Sequence, residues 1–254
     1  MIPQSTMRMD QRFLEAWMKR GRYGILAAAL TLLVSACALP VNPEDPPPEE
    51  FRAVGNEPGW RVDLGREKLE LTADYGATRL SMPPPDPRAD HGGWRFSGQR
   101  DGVSVALWVR ESLCRDSMTG MPYPMEAELV LDGTPLPGCA GEPASLLLGN
   151  SWGVVEIDGS KPLEGSTATI VFSESGHIGG RSSCNSYMGS YALSGEGLTV
   201  SGLASTRMAC APEVMAQESR FLELLQDVVR FDFDEAGVLI LHAGQGHSIQ
   251  ATRR

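Results

Sequence analysis

The chain has 254 residues, 42% of them hydrophobic and 21% charged, with a formal net charge of −10 at pH 7. The length fits two domains of about a hundred residues, each large enough for a small core. An acidic protein gains nothing from counterion release on phosphate backbones, so nucleic acid is not expected as a partner, whereas a basic protein suits it.

At the N-terminal side, Lys19, Arg20 and Arg22 precede an apolar run from Ile25 to Leu33, which closes on Val34-Ser35-Ala36-Cys37. Basic residues, a short apolar run, small residues and then a cysteine form the pattern of a bacterial lipoprotein signal. The run is shorter than the ~20 apolar residues of a spanning helix, so residues 1–36 are expected to be removed and Cys37 lipidated. Removal takes away five basic and two acidic residues and leaves a net charge of −13. Residues 37–50 carry five prolines and four acids and read as a stiff solvated tether. In polyproline II geometry it spans up to about 40 Å. Ala38, rather than an aspartate, follows Cys37, so the expected location is the periplasmic face of the outer membrane, held by the lipid anchor.

Residues 51–143 alternate apolar and polar positions, as in Lys68-Leu69-Glu70-Leu71-Thr72 and Ala127-Glu128-Leu129-Val130-Leu131, which predicts a β-rich domain. Pro83-Pro84-Pro85-Asp86-Pro87 cannot donate to a ladder and is expected as an exposed connection. Residues 146–251 predict a second β-rich domain, with strands near Ser151 to Ile157, Ala168 to Ser173 and Leu198 to Val200, and glycine-rich turns between them. One helix starts at Ala211-Pro212-Glu213, with Val214, Phe221, Leu225 and Val228 on one face and Leu222 and Val229 beside them. A hairpin from Phe231 to His242 follows. The fold class expected is mainly β, or α+β: two small antiparallel domains, the second with one amphipathic helix packed on a sheet or partly open barrel.

Beyond Cys37, four cysteines permit three pairings. The local one, Cys114 with Cys139 and Cys184 with Cys210, closes a loop of about 25 residues in each half, worth roughly 3.5 kcal/mol apiece. With no CxxC pair, and His91, His177, His242 and His247 dispersed, neither metal nor cofactor is expected.

Gly149-Asn150-Ser151-Trp152-Gly153 fits the pattern of a nucleophile elbow, but the elbow needs a helix after its serine, and Val154 to Ile157 continue as strand. Cys184 with His177 could be drawn as a thiol–imidazole pair, against which stands a structural disulfide with Cys210. Asn56, Glu57, Trp60, Asp116 and Tyr123 lie in turn-rich segments suited to a binding cleft. The competing reading has Trp60 packed inward and Asn56 and Glu57 satisfying turn backbone groups. Arg181 and Arg207 either form an anion-binding spot or pair with carboxylates such as Glu174 and Glu213.

Several spaced elements of the second half together resemble the META domain of HslJ-type envelope proteins. They include Trp152 with Ile157-Asp158-Gly159, Cys184-Asn185-Ser186-Tyr187-Met188-Gly189-Ser190-Tyr191, Thr206-Arg207-Met208-Ala209-Cys210, and Glu218 with Phe221. A glycine usually stands where this chain has Ser183. The resemblance implies a Cys184–Cys210 bridge, envelope localisation and a link to stress or antibiotic tolerance, with no known reaction. The first half is similar to an uncharacterised envelope domain often set before META domains, through Gly55-Asn56-Glu57-Pro58-Gly59-Trp60, Cys114 to Gly120 and Gly138-Cys139. The expected role is non-catalytic binding or envelope-stress protection, with Asn56, Glu57, Trp60, Asn185, Tyr187 and Arg207 as candidate binding residues. Inhibition of a basic lysozyme is the first alternative, envelope hydrolysis the second, and an envelope protein or lysozyme the expected partner.

Overall fold

A computed structural model describes residues 49–195 and 197–254. Strands β1 (Phe51–Asn56), β2 (Gly59–Leu64), β3 (Leu69–Ala73) and β4 (Thr78–Met82) form one meander. A second comprises β5 (Pro87–Asp90), β6 (Gly93–Arg100), β7 (Val103–Arg115), β8 (Pro122–Leu131) and β9 (Thr134–Ala140). The two join where β9 pairs with β1, giving nine antiparallel strands in the order β4-β3-β2-β1-β9-β8-β7-β6-β5. The two-residue period of the sequence drives the sheet: Leu69, Leu71 and Ala73 are buried while Glu70 and Thr72 face solvent. Val105, Leu107 and Val109 alternate likewise on β7. Residues 83–86 connect the two edge strands, and Pro87 opens β5, a position where its missing N–H removes no ladder bond.

The second sheet contains β10 (Ser151–Ile157), β11 (Thr167–Phe172), β12 (His177–Ser183), β13 (Ser186–Ser194) and β14 (Gly197–Ser205). Helix α1 (Pro212–Gln226) leads to β15 (Val228–Phe233), β16 (Leu239–Ala243) and β17 (Ser248–Arg253). The order is β14-β13-β12-β11-β10-β17-β16-β15, and the outer strands curl toward each other into a nearly closed barrel. A Cβ on Gly197 of β14 would lie 2.1 Å from the carbonyl oxygen of Val229 on β15, so only glycine permits that approach. Helix α1 buries Phe221, Leu224 and Leu225 in the same core as Leu147, Trp152, Ile170 and Leu198.

Two parts of the sequence reading are corrected here. The glycine-rich stretch between β11 and β14, expected as turns, forms strands β12 and β13. Its glycines serve close backbone packing, for a Cβ on Gly180 would sit 2.1 Å from the carbonyl oxygen of Thr169. The helical stripe does not extend to Val228 and Val229. Asp227 closes α1 by donating its N–H to the carbonyls of Glu223 and Leu224, and the two β-branched valines open β15. Val228 still reaches the core, whereas Val229 is exposed.

The two sheets belong to one compact unit. Met121, in the β7–β8 connection of the first sheet, is buried in the core of the second, with Leu113 and Tyr123 packed against it. Beside them, Arg115 donates to Asp232 Oδ1 at 3.0 Å and to the Phe233 carbonyl at 2.6 Å.

Candidate functional site

Around the second cysteine pair, the geometry is organised by a buried carboxylate. Cys184 and Cys210 are bonded, as are Cys114 and Cys139 in the first sheet. Glu218 of α1 is only 8% exposed and points into the β12–β13 turn. Its Oε2 accepts from the Ser182 hydroxyl (2.8 Å) and from the backbone N–H groups of Cys184 (3.1 Å) and Asn185 (2.7 Å), and its Oε1 accepts from Asn185 Nδ2 (2.7 Å). Asn185 passes the connection on, its Oδ1 accepting from the Thr206 hydroxyl (2.8 Å) and the Met208 N–H (2.7 Å). Burial alone would raise the Glu218 pKa, but the donors from Asn185, Ser182 and Cys184 outweigh it and hold the carboxyl below its ordinary range. Sequence reasoning noted Glu218 only through the resemblance. The signal was its place on the apolar stripe of α1, three and seven residues before Phe221 and Leu225.

Asn185, 2% exposed, is therefore a structural node. Tyr187 faces inward too, its hydroxyl donating to the Thr169 carbonyl at 3.0 Å and its ring meeting Phe221, and burial pushes its pKa up. Ser183 occupies the glycine position with φ +105°, in the left-handed region, and its hydroxyl accepts from Gln217 Nε2 at 2.7 Å. Arg181 and Arg207 are exposed and pair with neither Glu174 nor Glu213.

In the first sheet, the motifs around Trp60, Cys114 and Cys139 come together. Trp60 is buried and donates from Nε1 to the Pro137 carbonyl at 3.3 Å. A Cβ on Gly138 would lie 2.5 Å from that ring, and one on Gly55 2.2 Å from its nitrogen, so both glycines make room for the indole. Asn56, a candidate binding residue, donates from Nδ2 to Asp116 Oδ2 at 2.7 Å and to the Ser117 hydroxyl at 2.9 Å, about sixty residues away in the chain, rather than to its own turn. Desolvation opposes ionisation of Asp116, but Asn56 and the Thr119 donors hold its pKa down. Glu57 is exposed at the hairpin tip. Cys37 lies outside the described residues.

Where the sheets meet, a cleft of about 620 Å³ opens between Leu113 of β7, Leu146, the Phe233–Gly237 turn and the end of β17. The Arg253 guanidinium stands 5.4 Å over the Trp152 ring at its wall.

Residues 145–254, the barrel with its helix, match the family model of the META domain. The second half of the chain is a META domain. An NMR structure of a protein from Burkholderia xenovorans is similar, at 29% identity over 44% of this chain and 88% of that one, with a TM-score of 0.36. A second NMR structure is 27% identical over 42% of this chain and 92% of that one, also with a TM-score of 0.36. No curated protein matches the chain.

Within the META domain, the residues considered for hydrolysis are not arranged for it. Ser151 begins β10, pairs with Val171 and is followed by strand, so no nucleophile elbow forms. Cys184 is held in its disulfide, and His177 stands at the far end of β12, roughly 20 Å from Ser183 at ~3.3 Å per strand residue. Among the described residues no group of histidine, cysteine and carboxylate side chains is placed to hold a metal.

Proposed function

We propose that this is a lipid-anchored protein of the bacterial envelope, attached through Cys37 at the periplasmic face of the outer membrane, and that it acts by binding rather than by catalysis. The observation that carries the reading is the pair of disulfides, one in each half of the chain, a feature of proteins that mature in an oxidising compartment. The signal pattern before Cys37 supports it independently, and the cleft at the seam supplies a concave surface that both halves build. Protection under envelope or antibiotic stress is the role that fits the META domain.

Palmitate labelling and membrane fractionation test the anchor: the full chain incorporates label and sediments with outer membrane, and Cys37→Ser does neither. In-cell crosslinking with the lipidated protein as bait tests the binding role. Capture of a defined envelope protein above the Cys37→Ser control is expected, and repeated recovery of none refutes it. The net charge of −10 favours one second reading, inhibition of a basic lysozyme. That reading requires the protein to slow lysozyme digestion of cell walls at stoichiometric amounts.

A further inference from the structure

We propose that the seam cleft is a binding site for a short zwitterionic peptide, one with a free amino end, a free carboxylate end and an apolar side chain between them. This deepens the binding role proposed above by assigning it a place and a ligand class.

The cleft has the size of a small-molecule site and a divided lining. Leu113, Leu146 and Phe233 give it an apolar floor, with Leu113 contributed by the first sheet and Phe233 by the META domain. Charges of opposite sign stand on its walls. Asp234 and Glu235 lie on one side, in the turn after β15, and Arg253 on the other, at the end of β17. Asp234 is partly engaged, since its Oδ1 accepts from the N–H groups of Ala236 and Val238. Glu235 and Arg253, however, form no ion pair with each other or with any other described residue. That separation follows from the sheet. In the register Phe233 lies opposite Leu239 and Leu239 opposite Ala251, so β15 and β17 are two strand spacings apart, roughly 10 Å.

Two unpaired charges across a partly apolar gap complement a ligand that carries the inverse pair. An extended di- or tripeptide spans roughly 7–10 Å at ~3.3–3.6 Å per residue, which matches the gap. Its ammonium group would face Glu235 and the free oxygen of Asp234. Its carboxylate would meet the Arg253 guanidinium, which the Trp152 ring backs and holds in place. A side chain directed inward would cover Leu113, Leu146 and Phe233. The site needs both halves, because without Leu113 the floor is open.

The test uses the disulfide-intact full-length mature chain with Cys37→Ser, so that only the lipid is missing. Ala-Leu-Ala with free ends, its N-acetylated form and its C-amidated form are titrated by calorimetry, with amide shifts mapped by NMR. The free tripeptide is expected to shift the amides of Phe233, Glu235 and Arg253, and blocking either end to weaken Kd at least tenfold. Glu235→Gln should weaken the free peptide without affecting the acetylated one, and Arg253→Gln the free peptide without affecting the amidated one. Both side chains are exposed, so neither change threatens folding. Equal binding of all three peptides, shifts mapping elsewhere, or no shift at millimolar peptide each overturns the proposal. If titration fails while the lipidated wild-type chain still captures a partner on crosslinking, the peptide site is wrong and the binding role stands; failure of wild-type capture as well removes both.

Discussion

Glu218→Gln is the change that tests the central claim about the META domain of this chain, because it alters the charge and hydrogen-bonding capacity of one buried group while nearly keeping its shape. Glu218 accepts four hydrogen bonds, from the Ser182 hydroxyl, two backbone N–H groups and the Asn185 amide. A glutamine has one oxygen. If that oxygen takes the three-donor side, its NH2 points at Asn185 Nδ2, and Asn185 cannot turn over without giving up the bonds its Oδ1 accepts from Thr206 and Met208. In the opposite orientation the NH2 meets the two backbone donors. Either way a donor faces a donor, costing ~1–3 kcal/mol, and bonds to a charged acceptor become neutral ones. The expected loss is about 3 kcal/mol, which lowers Tm by roughly 6–12 °C for a unit of this size. Urea titration with the disulfides intact, followed by circular dichroism, reads it as a fall in midpoint with unchanged slope. The pH dependence gives a second reading. Because the folded pKa lies below the ordinary value of 4.5, the carboxylate's contribution is complete above that value and is lost as pH falls through the folded pKa. The gap between wild type and variant should therefore be full at pH 7 and shrink in acid. A loss below about 1 kcal/mol at pH 7, or a gap that stays constant into acid, would refute the account of Glu218 as an ionised node.

Three further outcomes are expected. Cys184→Ser, which opens a loop with a sequence separation of 26, should lower stability by about 3–4 kcal/mol; melting like wild type would show that the bridge constrains nothing. Ser183→Gly should relieve backbone strain of order 1 kcal/mol but lose the bond from Gln217, leaving stability nearly unchanged. In a Gln217→Ala background the same change should stabilise by about 1 kcal/mol in a denaturant titration, and destabilisation there would mean that the left-handed position carries no strain. Gly180→Ala should cost more than 3 kcal/mol or abolish soluble expression, since its Cβ would fall 2.1 Å from the Thr169 carbonyl oxygen; a variant melting within a degree of wild type contradicts the β11–β12 packing.

The sequence carries some of these features plainly. Alternation at Leu69, Leu71 and Ala73 marks a strand because the side-chain period of two survives any tertiary arrangement. Pro212 at the first turn of α1 was legible for a similarly local reason, whereas the pairing of Cys184 with Cys210, one of three possible, was supported by the resemblance to the META domain. Strands β12 and β13 were not, since glycine weakens strand propensity. Its use at Gly180 depends on a carbonyl eleven residues earlier in the chain. The partner of Asn56 was not legible, because Asp116 is sixty residues away in the chain. The opposed charges of Glu235 and Arg253 were invisible for the same reason: only strand register sets them across one cleft.

Met121 belongs by sequence to the first sheet and by burial to the barrel. A module exchanged into this chain in place of either half would thus have to bring a matching socket or a matching methionine. Recombination at the junction near residue 145 would leave a hole in one core and an apolar side chain stranded on the other. The covalent boundary of the META domain and the boundary of its packing therefore differ, since Leu113, Met121 and Tyr123 lie before residue 145 and pack in or against its core.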